Sequence, residues 1–170
     1  VTGSVKVGKR LTADPGAWGP GDVALSYQWF RSGVKIAKAT KATYKLVAAD
    51  RGKTLTVKVT GTKSGYATVS KTSVATGKVA AGSLTSAKPK ITGTVKVGKK
   101  LTVKPGVWKP SGVKLSYQWL RSGKAIKGAT KPSYKLTSKD KRKKITVKVT
   151  GKKAGYASKS VVSKATKKVG

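Results

Sequence analysis

The sequence predicts an all-β chain built as two tandem β-sandwich domains, and three observations lead to that reading. A shift of 90 superposes residues 1–79 on 91–169 without a gap, with 47 of the 79 positions identical, so the chain holds two copies of one unit. Inside a copy the apolar residues recur at every second position rather than every 3.6. Turn signals centred on Gly and Pro recur about every 8–12 residues, the spacing of short strands in a sandwich or small barrel. The expected domains are residues 1–80 and 91–170. Between them, residues 81–90 are small, polar and Pro-containing, a composition that suits a linker.

In copy one, Val5 and Val7 alternate before Gly8, and Leu11 and Ala13 alternate before Pro15-Gly16. Trp18 follows, then the Gly19-Pro20-Gly21 turn. Leu25, Tyr27 and Trp29 share one face of the next strand, which ends at Ser32-Gly33. Val34 and Ile36 make a short strand, and Tyr44 and Leu46 another. Residues 47–50 carry the one helix signal, a single turn at a corner completed by Asp50-Arg51-Gly52. Leu55, Val57 and Val59 then alternate with Thr54, Thr56 and Lys58. Residues 61–65 reverse the chain, and the last strand is expected from Thr68 to Val79. The period places Trp29, and Trp119 in copy two, on the inward face, where one such ring buries on the order of 200 Å².

Composition excludes whole classes of function. There is no Cys, His, Met or Glu, which removes disulfides, thiolate nucleophiles, the usual general base and the commonest metal ligand. The four carboxylates are Asp14, Asp22, Asp50 and Asp140. The first two are replaced by Lys104 and Gly112 in copy two. Asp50 and Asp140 recur at a corner, where Asp commonly accepts backbone N–H bonds. No phosphate loop, dinucleotide fingerprint or Ser-His-Asp arrangement is present. The chain is therefore expected to be non-enzymatic and to use no cofactor or metal. No apolar run approaches the roughly 18–20 residues of a membrane helix. The chain opens on Val1-Thr2-Gly3 without a charged-then-apolar segment, as a mature product or an excised fragment would.

Against four acids stand 34 Lys and 5 Arg, a formal net charge of +35. Residues 1–80 carry 14 basic and 3 acidic residues, and residues 91–170 carry 23 basic and one acidic. Such an excess attracts polyanions. Strand lysines such as Lys6, Lys58, Lys96 and Lys148 take the outward phase, where they also block edge-to-edge association. That purpose accounts for a few lysines per sheet, not 34. Copy two gains Lys104, Lys109 and Lys114 at the places of Asp14, Gly19 and Ala24, and adds the basic run at 139–144. The candidate contacts are therefore Lys139, Lys141, Arg142, Lys143, Lys144, Lys152 and Lys153. The expected ligands are teichoic acid, acidic polysaccharide or extracellular DNA. The preponderance of Lys over Arg suggests diffuse, salt-sensitive attraction rather than shape readout. No nucleic-acid recognition motif is present. Trp18 and Trp108, each between Pro-Gly and a Pro-containing turn, are aromatic candidates. So are Tyr66 and Tyr156, in the Gly-Tyr hairpins near Lys63, Lys152 and Lys153. Each ring is either a cover for the sandwich or a stacking surface for sugar or base.

Gln28-Trp29-Phe30-Arg31-Ser32-Gly33, with Asp50-x-Gly52 leading into Leu55-x-Val57-x-Val59, resembles the central strand and a later corner of immunoglobulin-like domains. Copy two keeps Gln118-Trp119-Leu120-Arg121-Ser122-Gly123, Asp140 and Ile145-x-Val147-x-Val149, with Arg142 at the corner Gly. Neither copy has the two cysteines, or the corner Tyr at its usual place. The wider pattern runs from Thr-Gly-x-Val-Lys-Val-Gly-Lys to Val-Thr-Gly-x-Lys-x-Gly-Tyr. It is similar to the tandem immunoglobulin-like repeats of secreted and surface-associated actinobacterial proteins, and the similarity covers both copies. It implies a non-catalytic accessory module of a secreted or cell-surface bacterial protein, monomeric and accompanied by other domains of a larger parent. The alternatives are a passive spacer or adhesion stalk whose charge serves solubility, or a module for nucleic acid or carbohydrate.

Overall fold

The computed structural model describes all 170 residues, in two compact units: Val1–Gly82 with Ala154–Tyr156, and Ser83–Lys153 with Ala157–Gly170. In the first unit a three-stranded sheet orders β1 (Thr2–Gly3), β2 (Arg10–Thr12) and β5 (Thr43–Lys45). A four-stranded sheet orders β4 (Val34–Lys35), β3 (Ala24–Arg31), β6 (Leu55–Thr62) and β7 (Val69–Thr72). The strands within each sheet pair antiparallel, and isolated parallel bridges join Lys6 to Ala80 and Arg51 to Val79. The chain crosses from one sheet to the other between β2 and β3 and returns between β4 and β5, which makes an immunoglobulin-like sandwich.

The second unit repeats this arrangement. One sheet orders β14 (Ser133–Lys135), β10 (Lys100–Lys104) and β9 (Lys90–Thr92). The other orders β13 (Lys124–Ala125), β12 (Lys114–Arg121), β15 (Ile145–Lys152) and β16 (Lys159–Val162). It also holds a pair absent from the first unit, β8 (Thr85–Ser86) with β11 (Trp108–Lys109). Residues 83–90, the greater part of the expected linker, thus belong to the second unit: β8 is paired and Leu84 is buried.

The period of two is realised in β6, where Leu55, Val57, Val59 and Gly61 are buried and Lys58 and Thr62 exposed. Trp29 stands opposite Val57 and Trp119 opposite Val147, both fully buried. Each indole N–H must find an acceptor when buried; they donate to the Lys41 and Lys131 carbonyls at 2.9 Å. The rings stack on Tyr44 and Tyr134 with centroids 5.8 Å apart. The Gln in Tyr-Gln-Trp fastens the neighbouring strand: Gln28 and Gln118 donate to the Ile36 and Ile126 carbonyls at 2.8 Å.

Two local expectations differ. Residues 5–7 are not a strand, although Val7 is buried, and Lys6 is half-buried where Lys58, Lys96 and Lys148 are exposed. The last strand stops at Thr72 instead of continuing to Val79. Its hydroxyls explain the break: Ser73 and Thr76 side chains accept the Val57 and Leu55 N–H groups at 3.1 and 3.0 Å, displacing the regular ladder acceptors. The helical turns are single 3-10 turns, Ala48–Asp50 and Ser138–Asp140. No helix is long and apolar enough to cross a membrane.

Candidate functional site

Each sandwich is closed at one end by a charged corner. Arg31, two residues beyond Trp29, reaches Asp50 with Nε to Oδ1 at 2.6 Å, and Arg121 reaches Asp140 at 2.7 Å. Both carboxylates are fully buried, while the two arginine side chains keep about a quarter of their surface. Backbone N–H groups of Val47 and Thr137 donate to the same carboxylates at 2.6 and 2.7 Å. The hydroxyl of Tyr134 donates at 2.9 Å, and that of Tyr44 at 3.2 Å. Copy two has one further donor, the Thr137 hydroxyl at 2.9 Å, where copy one has Val47.

Burial by itself would raise the Asp140 pKa. The Thr137 N–H, Arg121 and the two hydroxyls outweigh it and hold the carboxyl below its ordinary value. Burial first, and the carboxylate next, pushes the Tyr44 and Tyr134 hydroxyls up. These Asp residues are structural anchors that fix a corner, as expected. The guanidinium partner was the unread part. Its signal was present in the sequence: an Arg two residues after each Trp, with an Asp 19 residues beyond it in both copies.

The seven candidate cations do not form one patch. Lys139, Lys141, Arg142, Lys143 and Lys144 are exposed at the corner end of the second sandwich, before β15. Lys152 ends β15 and Lys153 follows. Eight residues of strand, at about 3.3 Å each, put them roughly 25 Å away at the opposite end. Lys153 is also half-buried, with its ammonium against Gly112. At the corner end the chain adds cations that the sequence reading passed over. The Arg142 N–H donates to the Val169 carbonyl at 2.8 Å, which brings in exposed Lys167 and Lys168. The Ser122 N–H donates to the Lys144 carbonyl at 2.9 Å, and Arg121, Ser122, Lys124, Ala125 and Lys143 line a depression of about 300 Å³. The only acid of the second unit, Asp140, is already bound to Arg121.

The aromatic candidates separate in the same way. Trp108 is only 9% exposed, and its N–H donates to the Pro105 carbonyl at 3.2 Å. Trp18 is half-buried, with its N–H on the Pro15 carbonyl at 2.9 Å and the Lys71 ammonium over the ring at 4.9 Å. Both rings lie on a glycine of the central sheet. A Cβ on Gly61 or Gly151 would come within 2.5 or 2.4 Å of the indole. Trp108 is therefore a cover for the sandwich, and neither indole is a flat ring open to solvent as a sugar platform requires. Tyr156 is half-buried within the first unit, packed on the cluster that includes Val7; Gly8 and Gly82 leave the room for its ring. Tyr66 alone matches an exposed aromatic beside a cation: it is 57% exposed, with the Lys63 ammonium 5.4 Å from the ring centroid.

No protein-family model matches the chain, and no curated protein matches it. Among solved structures, the IgVJ-C2 molecule of amphioxus is similar at 13% identity and a TM-score of 0.41, over 97% of this chain and 98% of that one. At that level the assignment of the sandwich rests on strand order and register within this chain.

Proposed function

We propose that the chain is a non-catalytic module of a secreted or surface-bound bacterial protein. In this reading the corner end of the second sandwich holds the parent against an anionic polymer of the cell envelope or its surroundings. The observation that carries the reading is the isolation of Asp140. With the one carboxylate of the second unit buried on Arg121, the cations at 139–144 and 167–168 have no acidic side chain in their own unit to neutralise them. A polyanion supplies that neutralisation and releases its own counterions on binding. Lysine ammonium groups on exposed loops suit a repeating phosphate or carboxylate without sequence readout.

The test separates a local surface from net charge. One variant carries Lys139→Gln, Lys141→Gln, Lys143→Gln and Lys144→Gln. Its match carries Lys104→Gln, Lys109→Gln, Lys114→Gln and Lys152→Gln, at the opposite end. On immobilised lipoteichoic acid and on heparin, the first variant is expected to elute at distinctly lower salt than the second. Equal shifts would assign the retention to overall charge and favour a passive spacer. Failure of the unmodified chain to bind at about 0.15 M salt would remove the proposal altogether.

A further inference from the structure

The second sandwich has a lateral edge where its two sheets are tied at one point and separate beside it. β9 pairs with β10 in the three-stranded sheet. At Gly93 the backbone takes a φ of 117°, and a Cβ there would come within 2.4 Å of the Lys100 carbonyl oxygen, so the position needs Gly. Beyond it the chain leaves that sheet. The Gly170 N–H donates to the Val95 carbonyl at 3.2 Å, and the Val97 N–H to the Gly170 carbonyl at 2.9 Å. Residues 163–166 lie along the other sheet, with the Ser163 and Thr166 N–H groups on the Val147 and Ile145 carbonyls of β15 at 3.0 and 2.9 Å. Upstream of the tie, a groove of about 410 Å³ is lined on one side by residues between 88 and 95 and on the other by residues 164–166.

The walls of this groove are aliphatic: Pro89 is buried, Ile91 and Val95 are half-buried, and Ala165 is exposed. No aromatic ring lines it, so it offers no stacking surface for a base. Thr166 lines it too, but its hydroxyl is already engaged. It accepts the Ile145 N–H at 3.0 Å and donates to the Lys167 carbonyl at 2.7 Å. The polar side chains left for a ligand are those of Lys88, Lys90 and Lys164, all exposed. A lysine beside apolar surface covers it with its stem and keeps its ammonium in water. None of the three has a carboxylate partner, because the one acid of the unit is held by Arg121. In the first copy Val74 stands at the place of Lys164, so this cation is particular to the second.

We propose that the groove between β9 and residues 164–166 binds a single-chain aliphatic carboxylate, a molecule of fatty-acid type. The hydrocarbon chain lies on Pro89, Ile91, Val95 and Ala165, and the head group pairs with the lysines at the rim. The volume is within the range of small-molecule sites, which combine apolar walls with a few polar groups that fix orientation. Removal of apolar surface from water supplies the attraction for the chain, and the unneutralised lysines supply the selection for a negative head. The rim has no helix N-terminus, a common seat of phosphate, and lysine ammonium groups are point charges, which suits a singly charged carboxylate. This site uses other lysines than the corner end, so it stands or falls separately from polyanion binding.

The test titrates the full chain with decanoate, below the concentration at which it forms micelles, and reads the Ile91 and Val95 methyl signals by NMR. Acetate supplies the head without the chain, and decanol the chain without the charge. Decanoate is expected to move both methyl signals saturably and to bind more than tenfold more tightly than either control. Lys164→Val, which installs the residue of the first copy, is expected to weaken decanoate binding several-fold. Ala165→Asp, at an exposed wall position, is expected to weaken it more than tenfold while leaving the buried Trp119 indole signal in place. Unmoved methyl signals would overturn the proposal. So would equal affinity for acetate, which would reduce the site to surface cations, equal affinity for decanol, which would remove the role of the lysines, or unchanged binding in Ala165→Asp.

Discussion

At one end of its central sheet the first unit sets Ala24 opposite Thr62; the second sets Lys114 opposite Lys152 in the same register. The second unit also opposes Lys90 to Lys104 and Lys100 to Lys135, where the first has the single cationic pair Arg10–Lys45. Like charges directly opposite on a sheet oppose pairing by a few tenths to about 1 kcal/mol each. The second copy tolerates this with the same strand order in its two main sheets and with its central Trp, Leu and Val residues still buried. The comparison teaches that its charge is laid over a fold already fixed by Trp119, the β15 valines and the Arg121–Asp140 corner. Charge and fold can therefore be perturbed separately.

The largest effect is expected at the corner. Arg31→Met leaves Asp50 buried with the Val47 N–H and a Tyr44 hydroxyl at 3.2 Å. Arg121→Met leaves Asp140 the Thr137 N–H and two hydroxyls at 2.9 Å. Uncompensated buried charge costs about 3 kcal/mol or more, so a loss of about 3 kcal/mol is expected in the first unit and roughly 2 in the second. Denaturant unfolding followed at the Trp29 and Trp119 indole signals would measure both, and equal losses would remove the role given to Thr137. The same contrast has a pH signature. The folded pKa of Asp140 lies below its ordinary value, so its contribution is complete above the unfolded value of about 3.9 and is lost as pH falls through the folded one. Acid below about pH 4 should weaken the second unit, and Arg121→Met should flatten that dependence.

Salt comes next. At 0.1 M repulsion between exposed charges more than about 10 Å apart is largely screened, and that between nearer ones is weakened less. Raising ionic strength from about 0.01 to 0.3 M should raise the melting temperature of the second unit by several degrees, and that of the first by less. Sulfate should exceed chloride at equal ionic strength by binding the folded surface. Equal shifts in the two units, or none, would show that the opposed lysines carry little repulsion.

Much of this architecture was legible because a period of two and a 90-residue repeat are local signals. Leu55, Val57 and Val59 declare their face without reference to any other strand, and Trp29 declares the strand against which they pack. The corner turn and its Asp were legible for the same reason. What escaped were relations between distant residues. Arg31 and Asp50 meet only because β3 ends beside the start of β6. The spread of the candidate lysines escaped because Lys144 and Lys152, only eight residues apart in sequence, are separated by the whole length of β15. Lys167 and Lys168 join the corner end through Val169, a contact that no spacing announces. The 81–90 stretch looked like a linker by composition. Its pairing depends on an edge at Trp108 whose availability only the fold reveals.

The smallest effect tests whether the added charge has a cost in backbone strain. Gly52 follows the corner of the first unit at a φ of 75°, and Arg142 occupies the same place in the second at 60°. An L side chain in the left-handed region costs roughly 1–2 kcal/mol, reduced in a replacement by the greater freedom of Gly in the unfolded chain. The Arg142 side chain is exposed, and its backbone N–H bond to Val169 is available to any residue but Pro. Arg142→Gly should therefore stabilise the second unit by about 0.5–1 kcal/mol, and Gly52→Arg should destabilise the first by a similar amount. The opposite trade at Lys38 (φ 60°) and Gly128 (φ 75°) supplies a control, since Lys38→Gly should relieve strain in the first unit. If the corner end binds polyanions, Arg142→Gly should also elute from lipoteichoic acid at lower salt, so that stability and retention move in opposite directions. A destabilised Arg142→Gly chain would mean that the side chain makes a compensating contact, and the strain argument would fail.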